Sequence, residues 1–239
     1  AVEFKNKYLS SLRKGDLESA KKALISAKDF IDLASNHTDT KDSQKTNWLK
    51  GEICANFLTL GIQAQDTNFI KLAGENAIDE SIAAFKYGYG LGKKMKSDFE
   101  SSVETKAYML NEMGNMLYNL KKFNEAAELF EYQAKYSDAI NQIDSLAIYN
   151  ASVCYEKSND FENAAIGYEK LASIGYKSTT CAIAASSAYR KMKEFEKAIN
   201  IINRVRLIEP SNRDLLLALV NTNIESGDAA AAENALNDA

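Results

Sequence analysis

Between Phe123 and the C-terminus a helix-pair pattern recurs four times: Phe123-x2-Ala126-x3-Phe130, Phe161-x2-Ala164-x3-Tyr168, Phe195-x2-Ala198-x3-Ile202 and a weaker Ala229-x2-Ala232-x3-Leu236. The marker alanines stand 38, 34 and 34 residues apart. A period of about 34 is the mark of stacked helix–turn–helix units, each too small to bury its own apolar face and stable only beside a neighbour. The chain therefore reads as a scaffold built by repetition, and its expected class of function is binding another macromolecule along an extended surface.

Composition sets the limits around that reading. Hydrophobic residues make up 46% and charged residues 26% of the 239, enough apolar surface for a core and without the bias of a disordered chain. Proline occurs once, at Pro210, so long helices are permitted nearly everywhere, and no alternating strand pattern competes with them. The formal charge of −4 comes from 29 basic and 33 acidic residues. Neither sign dominates a long stretch, which argues against nucleic acid as the partner. No run of 18 apolar residues exists, so no transmembrane segment is expected. The first residue is Ala1 rather than methionine, which reads as a processed or truncated N-terminus with any targeting segment removed.

The first helix of each pair carries a matching set ahead of its marker alanine. Leu110, Met113, Gly114 and Leu117 precede Ala126; Ile148, Ala151, Ser152 and Tyr155 precede Ala164; Ala182, Ala185, Ser186 and Tyr189 precede Ala198. The small residues let two helices approach closely, and the larger ones fill the space between successive pairs. The turns keep the register: Leu120-Lys121-Lys122-Phe123, Ser158-Asn159-Asp160-Phe161, Met192-Lys193-Glu194-Phe195 and Ser226-Gly227-Asp228-Ala229. Among them Asn159, Asp160 and Asp228 are competent N-terminal caps, and Pro210 stands where a helix must stop before the next pair opens. In these features the chain resembles the tetratricopeptide repeat family, strongly from residue 104 onward and moderately before it. The resemblance implies an all-α fold, with helix–turn–helix repeats stacked in a right-handed α-solenoid of about six pairs. It implies one solenoid over residues 1–239, with regular repeats over 104–239 and irregular ones over 1–100.

Within the irregular part, Gly15-Asp16-Leu17-Glu18-Ser19-Ala20 is a turn and second helix, preceded by a short first helix around Phe4, Tyr8 and Leu12. The next unit opens at Trp48 and places Ser81 where alanine is usual. The long gap between them, with extra residues around 66–68, marks a degenerate unit with lengthened helices or an insertion. Asn36–Ser43 reads as a polar linker. The stretch Gly88-Tyr89-Gly90-Leu91-Gly92-Lys93-Lys94 fails as a phosphate loop. Three residues rather than four separate Gly88 from Gly92, no strand precedes it, and Met95 follows where serine or threonine would hold magnesium. A helix end with a left-handed glycine cap is the expectation there.

Chemistry-bearing constellations are scarce. His37 is the one histidine and sits in a polar stretch, so no Ser-His-Asp or Cys-His arrangement and no multi-histidine metal site is expected. Cys54, Cys154 and Cys181 are too scattered for a disulfide framework, lack the Cys-x2-Cys spacing of zinc, and lie within helical apolar patterns as small buried hydrophobes would. Their odd number leans slightly toward a reducing compartment. Glu112, Glu125, Glu128, Glu131 and Glu162 fall on periodic helix faces, the usual place of solvated charge. The expectation is a non-enzyme with no catalytic residues, no cofactor and no metal.

The family resemblance implies that first helices line a concave groove. The matching partner-binding residues are Tyr108, Asn111, Asn115 and Tyr118; Tyr149 and Glu156, with Leu146 and Val153; Arg190, with Thr180, Ile183 and Ser187; and Asn221, with Asp214, Leu217 and Ile224. Asparagine can hold a peptide backbone by donor and acceptor, and tyrosine offers contact area at low entropy cost. The partner expected is a protein or peptide held in that groove. The alternative is a small-molecule or glycan sensor with a tyrosine-lined pocket, distinguished by whether the space is open or enclosed. Asn111, Tyr149 and Ile183 stand where the chaperone-binding subfamily would want its asparagine or lysine clamp, so chaperone binding is not implied. Asp144-Ser145-Leu146-Ala147-Ile148-Tyr149-Asn150-Ala151 resembles repeat proteins of the bacterial cell envelope, which implies an exported, periplasmic location, with a cytoplasmic one left open. The final helix has Leu236 as its one large apolar residue, yet faces a segment holding Leu215, Leu216, Leu219, Val220 and Ile224. Further repeats beyond Ala239, or self-association through the C-terminal end, are therefore expected.

Overall fold

The computed structural model describes residues 1–74 and 76–237. Among them the chain is helical and contains no strand: α1 Val2–Arg13, α2 Leu17–Asn36, α3 Gln44–Gln63, α4 Thr67–Lys71, α5 Ala77–Gly90, α6 Lys96–Asn119, α7 Phe123–Ala139, α8 Ser145–Lys157, α9 Phe161–Ser173, α10 Ser178–Lys191, α11 Phe195–Arg206, α12 Arg213–Ser226 and α13 Ala229–Asn237. No described helix is long and apolar enough to cross a membrane.

One turn design punctuates these helices. Gly15, Gln65, Lys121, Asn141, Asn159, Gly175, Lys193 and Gly227 all have left-handed φ, between 52° and 82° or, for Gly227, 85°. In each case the N–H of the next residue returns five positions, as Asp160 does to Tyr155 and Glu194 to Tyr189, both at 2.9 Å. This back-bond satisfies a carbonyl that the helix end would otherwise orphan. An acidic cap often follows directly: Asp16 accepts from Ser19 N–H, Asp160 from Asn163 N–H and Asp228 from Ala231 N–H. Asn159, a cap candidate from its sequence context, instead supplies the left-handed residue and leaves capping to Asp160.

The described chain groups into two compact units, Ala1–Met109 with Lys135–Ile143, and Leu110–Ala134 with Asp144–Ala239. In the first, α1 packs on α2, α2 on α3, and α3 on both α4 and α5. Tyr8, Leu24, Ile31, Ile53, Phe57 and Leu60 form its buried centre. The stretch expected as an irregular second unit forms the long α3, the short α4 and then α5. Ser81, on α5, is fully buried and donates to the Gly51 carbonyl at 2.7 Å.

The glycine-rich stretch departs from the expected left-handed cap. α5 runs through Gly88 to Gly90, and none of these glycines has a positive φ. Gly88 is needed for space instead, because a Cβ there would lie 2.5 Å from the Phe99 ring and 2.8 Å from the Asn47 Cβ. Close helix approach, rather than turn geometry, selects glycine at this point.

In the second unit α8 packs on α9, α9 on α10, α10 on α11, α11 on α12 and α12 on α13. Ala126, Ala164 and Ala198 are wholly buried, followed one turn later by buried Phe130, Tyr168 and Ile202. Gly114 admits the Phe130 ring, since a Cβ would meet it at 2.8 Å. All three cysteines are buried and unpaired. Leu215, Leu216, Leu219 and Val220 are buried, whereas Ile224 and Leu236 remain largely exposed.

Candidate binding cleft

The helices α10 and α12 contact each other directly as well as through α11. Their contacts advance in the same chain direction along both lengths. Thr179 meets Glu209 and Asn212 near the start, Ser186 meets Thr222 at 3.4 Å in the middle, and Arg190 meets Glu225 at 3.6 Å near the end. Residue numbers that rise together on both sides mean the two helices run parallel. Buried Ala182, Ala185, Ser186, Ala218 and Thr222 are small enough to let them come together.

Between the helices lies a cleft of about 340 Å³ lined by Ile183, Ser186, Ser187, Arg190, Asp214, Leu217, Ala218 and Asn221. Helix ends decide where its charges sit. Arg190 is in the last turn of α10 and Asp214 in the first turn of α12, the positions where a cation and an anion suit the helix dipole. Because the helices are parallel, the two charges fall at opposite ends of the cleft.

The polar groups of the cleft divide into two sets. Ser186 is buried and used internally, facing the Thr222 hydroxyl beneath the lining at 3.4 Å, and Thr222 in turn donates to the Ala218 carbonyl at 2.7 Å. The side chains of Ser187, Arg190, Asp214 and Asn221 make no hydrogen bond with any described residue. Arg190 has only its 3.6 Å ion pair with Glu225, whose side chain is 51% exposed, and its Nε is buried without an acceptor. Leu217, 59% exposed, provides an apolar floor between the polar ends.

The expected groove residues are thus partly gathered. Arg190 and Asn221 line the cleft together with Ile183, Ser187, Asp214 and Leu217, while Ser186, which sequence marks only as a small packing residue, and Ala218, which it does not single out, complete it. Tyr149 is half-buried, edge-on to Tyr168 and Tyr176 with the Lys177 ammonium 4.5 Å from its ring centre. Tyr118 packs edge-on to Phe123. Glu156 accepts from the buried Tyr168 hydroxyl at 3.0 Å. Asn111 is half-buried and Asn115 exposed. Tyr108 is 66% exposed and belongs to the other compact unit.

Burial pushes the Tyr168 and Tyr189 hydroxyls up, and Glu156 and Glu169 beside them push the same way. They remain protonated donors that hold helices together. Burial likewise raises the Cys154 thiol to about 11, leaving no thiolate near neutrality. Among the described residues no group of three or more His, Cys, Asp or Glu side chains is placed to hold a metal ion. A second hollow, about 440 Å³, lies along α1 and α2 and is lined mainly by lysine and serine, with Phe4 and Ala23 as its apolar residues.

No family model matches the chain, and no curated protein matches it in sequence.

Proposed function

We propose that the chain is a tetratricopeptide-type repeat scaffold, a right-handed stack of helix pairs, and that its α10–α12 cleft holds a segment of a partner protein. One observation carries the reading: four polar side chains with unused hydrogen-bonding capacity surround an apolar floor on two first helices. A peptide supplies both backbone donors and acceptors for Ser187 and Asn221 and a side chain for the floor at Leu217. The lining contains no tyrosine, and this favours the peptide reading over a sensor with a tyrosine-lined pocket. The helix-pair order, the marker residues and the repeated turn support the family reading.

The test is selection from a random dodecapeptide display library. Recovered peptides are measured by fluorescence anisotropy against the chain and against Leu217→Arg, which fills the floor. Binding weakened about tenfold or more by Leu217→Arg, equivalent to roughly 1.4 kcal/mol, supports the cleft. Peptides that bind the variant equally well place the site elsewhere.

A further inference from the structure

We propose that the segment held by this cleft carries two opposite charges, a carboxylate that meets Arg190 and an ammonium or guanidinium that meets Asp214, with an apolar residue between them over Leu217. The proposal rests on the reading of the cleft as a peptide site and specifies the chemistry of what enters it.

The end beside Arg190 is cationic but poorly satisfied. An arginine fork offers five donors, and here none of them meets an acceptor in the described chain. Its single counter-charge, Glu225, is beyond hydrogen-bond distance at 3.6 Å and half-exposed. A carboxylate brought by a partner can engage the fork in two parallel bonds, a stronger arrangement than that loose contact. The other end is anionic. Asp214 is exposed and has no ion pair among the described residues. The helix dipole explains its place in the first turn of α12, yet leaves its carboxylate open to a cation.

The spacing of the charges limits the segment. Residue 225, opposite Arg190, lies eleven positions beyond Asp214, a rise of about 16 Å at 1.5 Å per residue. The arginine side chain leans back toward the start of its helix and shortens that gap. An extended peptide advances about 3.4 Å per residue, so acid and base should stand three to five residues apart. A segment of uniform charge would satisfy one end and repel the other.

The dodecapeptide selection is repeated on the wild type, on Arg190→Glu and on Asp214→Lys, with helicity and thermal midpoint checked first. Arg190→Gln and Asp214→Asn serve as neutral variants if a reversal fails to fold. Wild-type peptides are expected to be enriched for one acid and one base three to five residues apart, flanking an apolar residue. Either reversal should weaken them at least about tenfold, and exchanging the matching peptide charge should restore binding to that variant. Glu225→Gln, which removes the competing carboxylate, should tighten the wild-type peptides. If binding depends on Leu217 but the recovered peptides show no opposite-charge pair, or ignore both reversals, the charge assignment is overturned and the peptide reading survives. If no recovered peptide depends on Leu217, both fall.

Discussion

The buried hydroxyl of Tyr136 donates to Ser81 Oγ at 3.0 Å, and Ser81 in turn donates to the Gly51 carbonyl at 2.7 Å. Serine at a position that elsewhere takes alanine is thus the acceptor for a tyrosine that is 2% exposed. Deleting one member strands the other. Ser81→Ala should cost about 2 kcal/mol, because the Tyr136 hydroxyl loses its partner without regaining water. Tyr136→Phe should cost less, about 1 kcal/mol, and the double variant less than the sum. Urea midpoints for the four proteins measure the coupling; strictly additive costs would show the chain of bonds to be incidental.

Lys193 holds a left-handed φ of 62° at the α10–α11 turn, a conformation that costs a side-chain-bearing residue about 1–2 kcal/mol and glycine almost nothing. Glycine also makes the unfolded chain more flexible, which offsets part of the gain. Lys193→Gly should therefore stabilise by about 0.5–1 kcal/mol, and Gly227→Ala, at the equivalent position before α13, should destabilise by a similar amount. Thermal midpoints moving in the same direction for both would contradict the turn assignment.

Glu52 of α3 stands 3.2 Å from the Lys5 ammonium and 3.6 Å from that of Lys106, with each of the three side chains at most 12% exposed. Burial pushes the Glu52 carboxyl up, but the attraction of Lys106 and Lys5 outweighs it and the net direction is down from 4.5. A depressed folded value contributes stability that is complete above the unfolded value and lost as pH falls through the folded one. The loss therefore begins below about pH 4.5. Lys106 goes the other way for a cation: burial holds its ammonium below 10.5 despite Glu52. The folded state then binds that proton less readily than the unfolded, so its cost is relieved as pH rises toward 10.5.

Two substitutions in this triad should have different outcomes. Glu52→Gln leaves two buried ammoniums facing each other and should cost about 3–5 kcal/mol at neutral pH. Lys106→Met removes the excess cation while Lys5 still pairs with Glu52, but it also takes away the donor that Asn56 Oδ1 accepts from at 3.1 Å; the net cost should be smaller, about 1–2 kcal/mol, with a smaller rise in stability at alkaline pH. Denaturant midpoints across pH 3–10 check both; equal losses would show the second lysine to be required for the fold.

The regular part of the fold was legible because its signals are local. Marker alanines, acidic caps and the near-constant period each state a packing requirement that the helix pair must meet by itself. The left-handed residues were less legible, since Lys121, Asn159 and Lys193 carry no glycine to announce them and are held by the surrounding turn. Gly88 misled in the opposite sense: its reason is the Phe99 ring, which depends on a packing partner eleven residues away. Of the candidate groove, Arg190 and Asn221 meet in one cleft because a near-constant repeat length keeps parallel helices in register. Tyr149 and Glu156 are drawn to Tyr168 instead, a competition between packing and exposure that periodicity alone does not resolve.

The most direct test of the cleft is amide chemical-shift mapping of the isotope-labelled chain titrated with the tightest dodecapeptide from the display selection. Shifts centred on Ile183, Ser187, Arg190, Leu217 and Asn221, fading toward the outer faces of α9 and α11, are the predicted result. Shifts concentrated instead around Ile166 or Leu207, with the cleft amides unmoved at saturation, would contradict it.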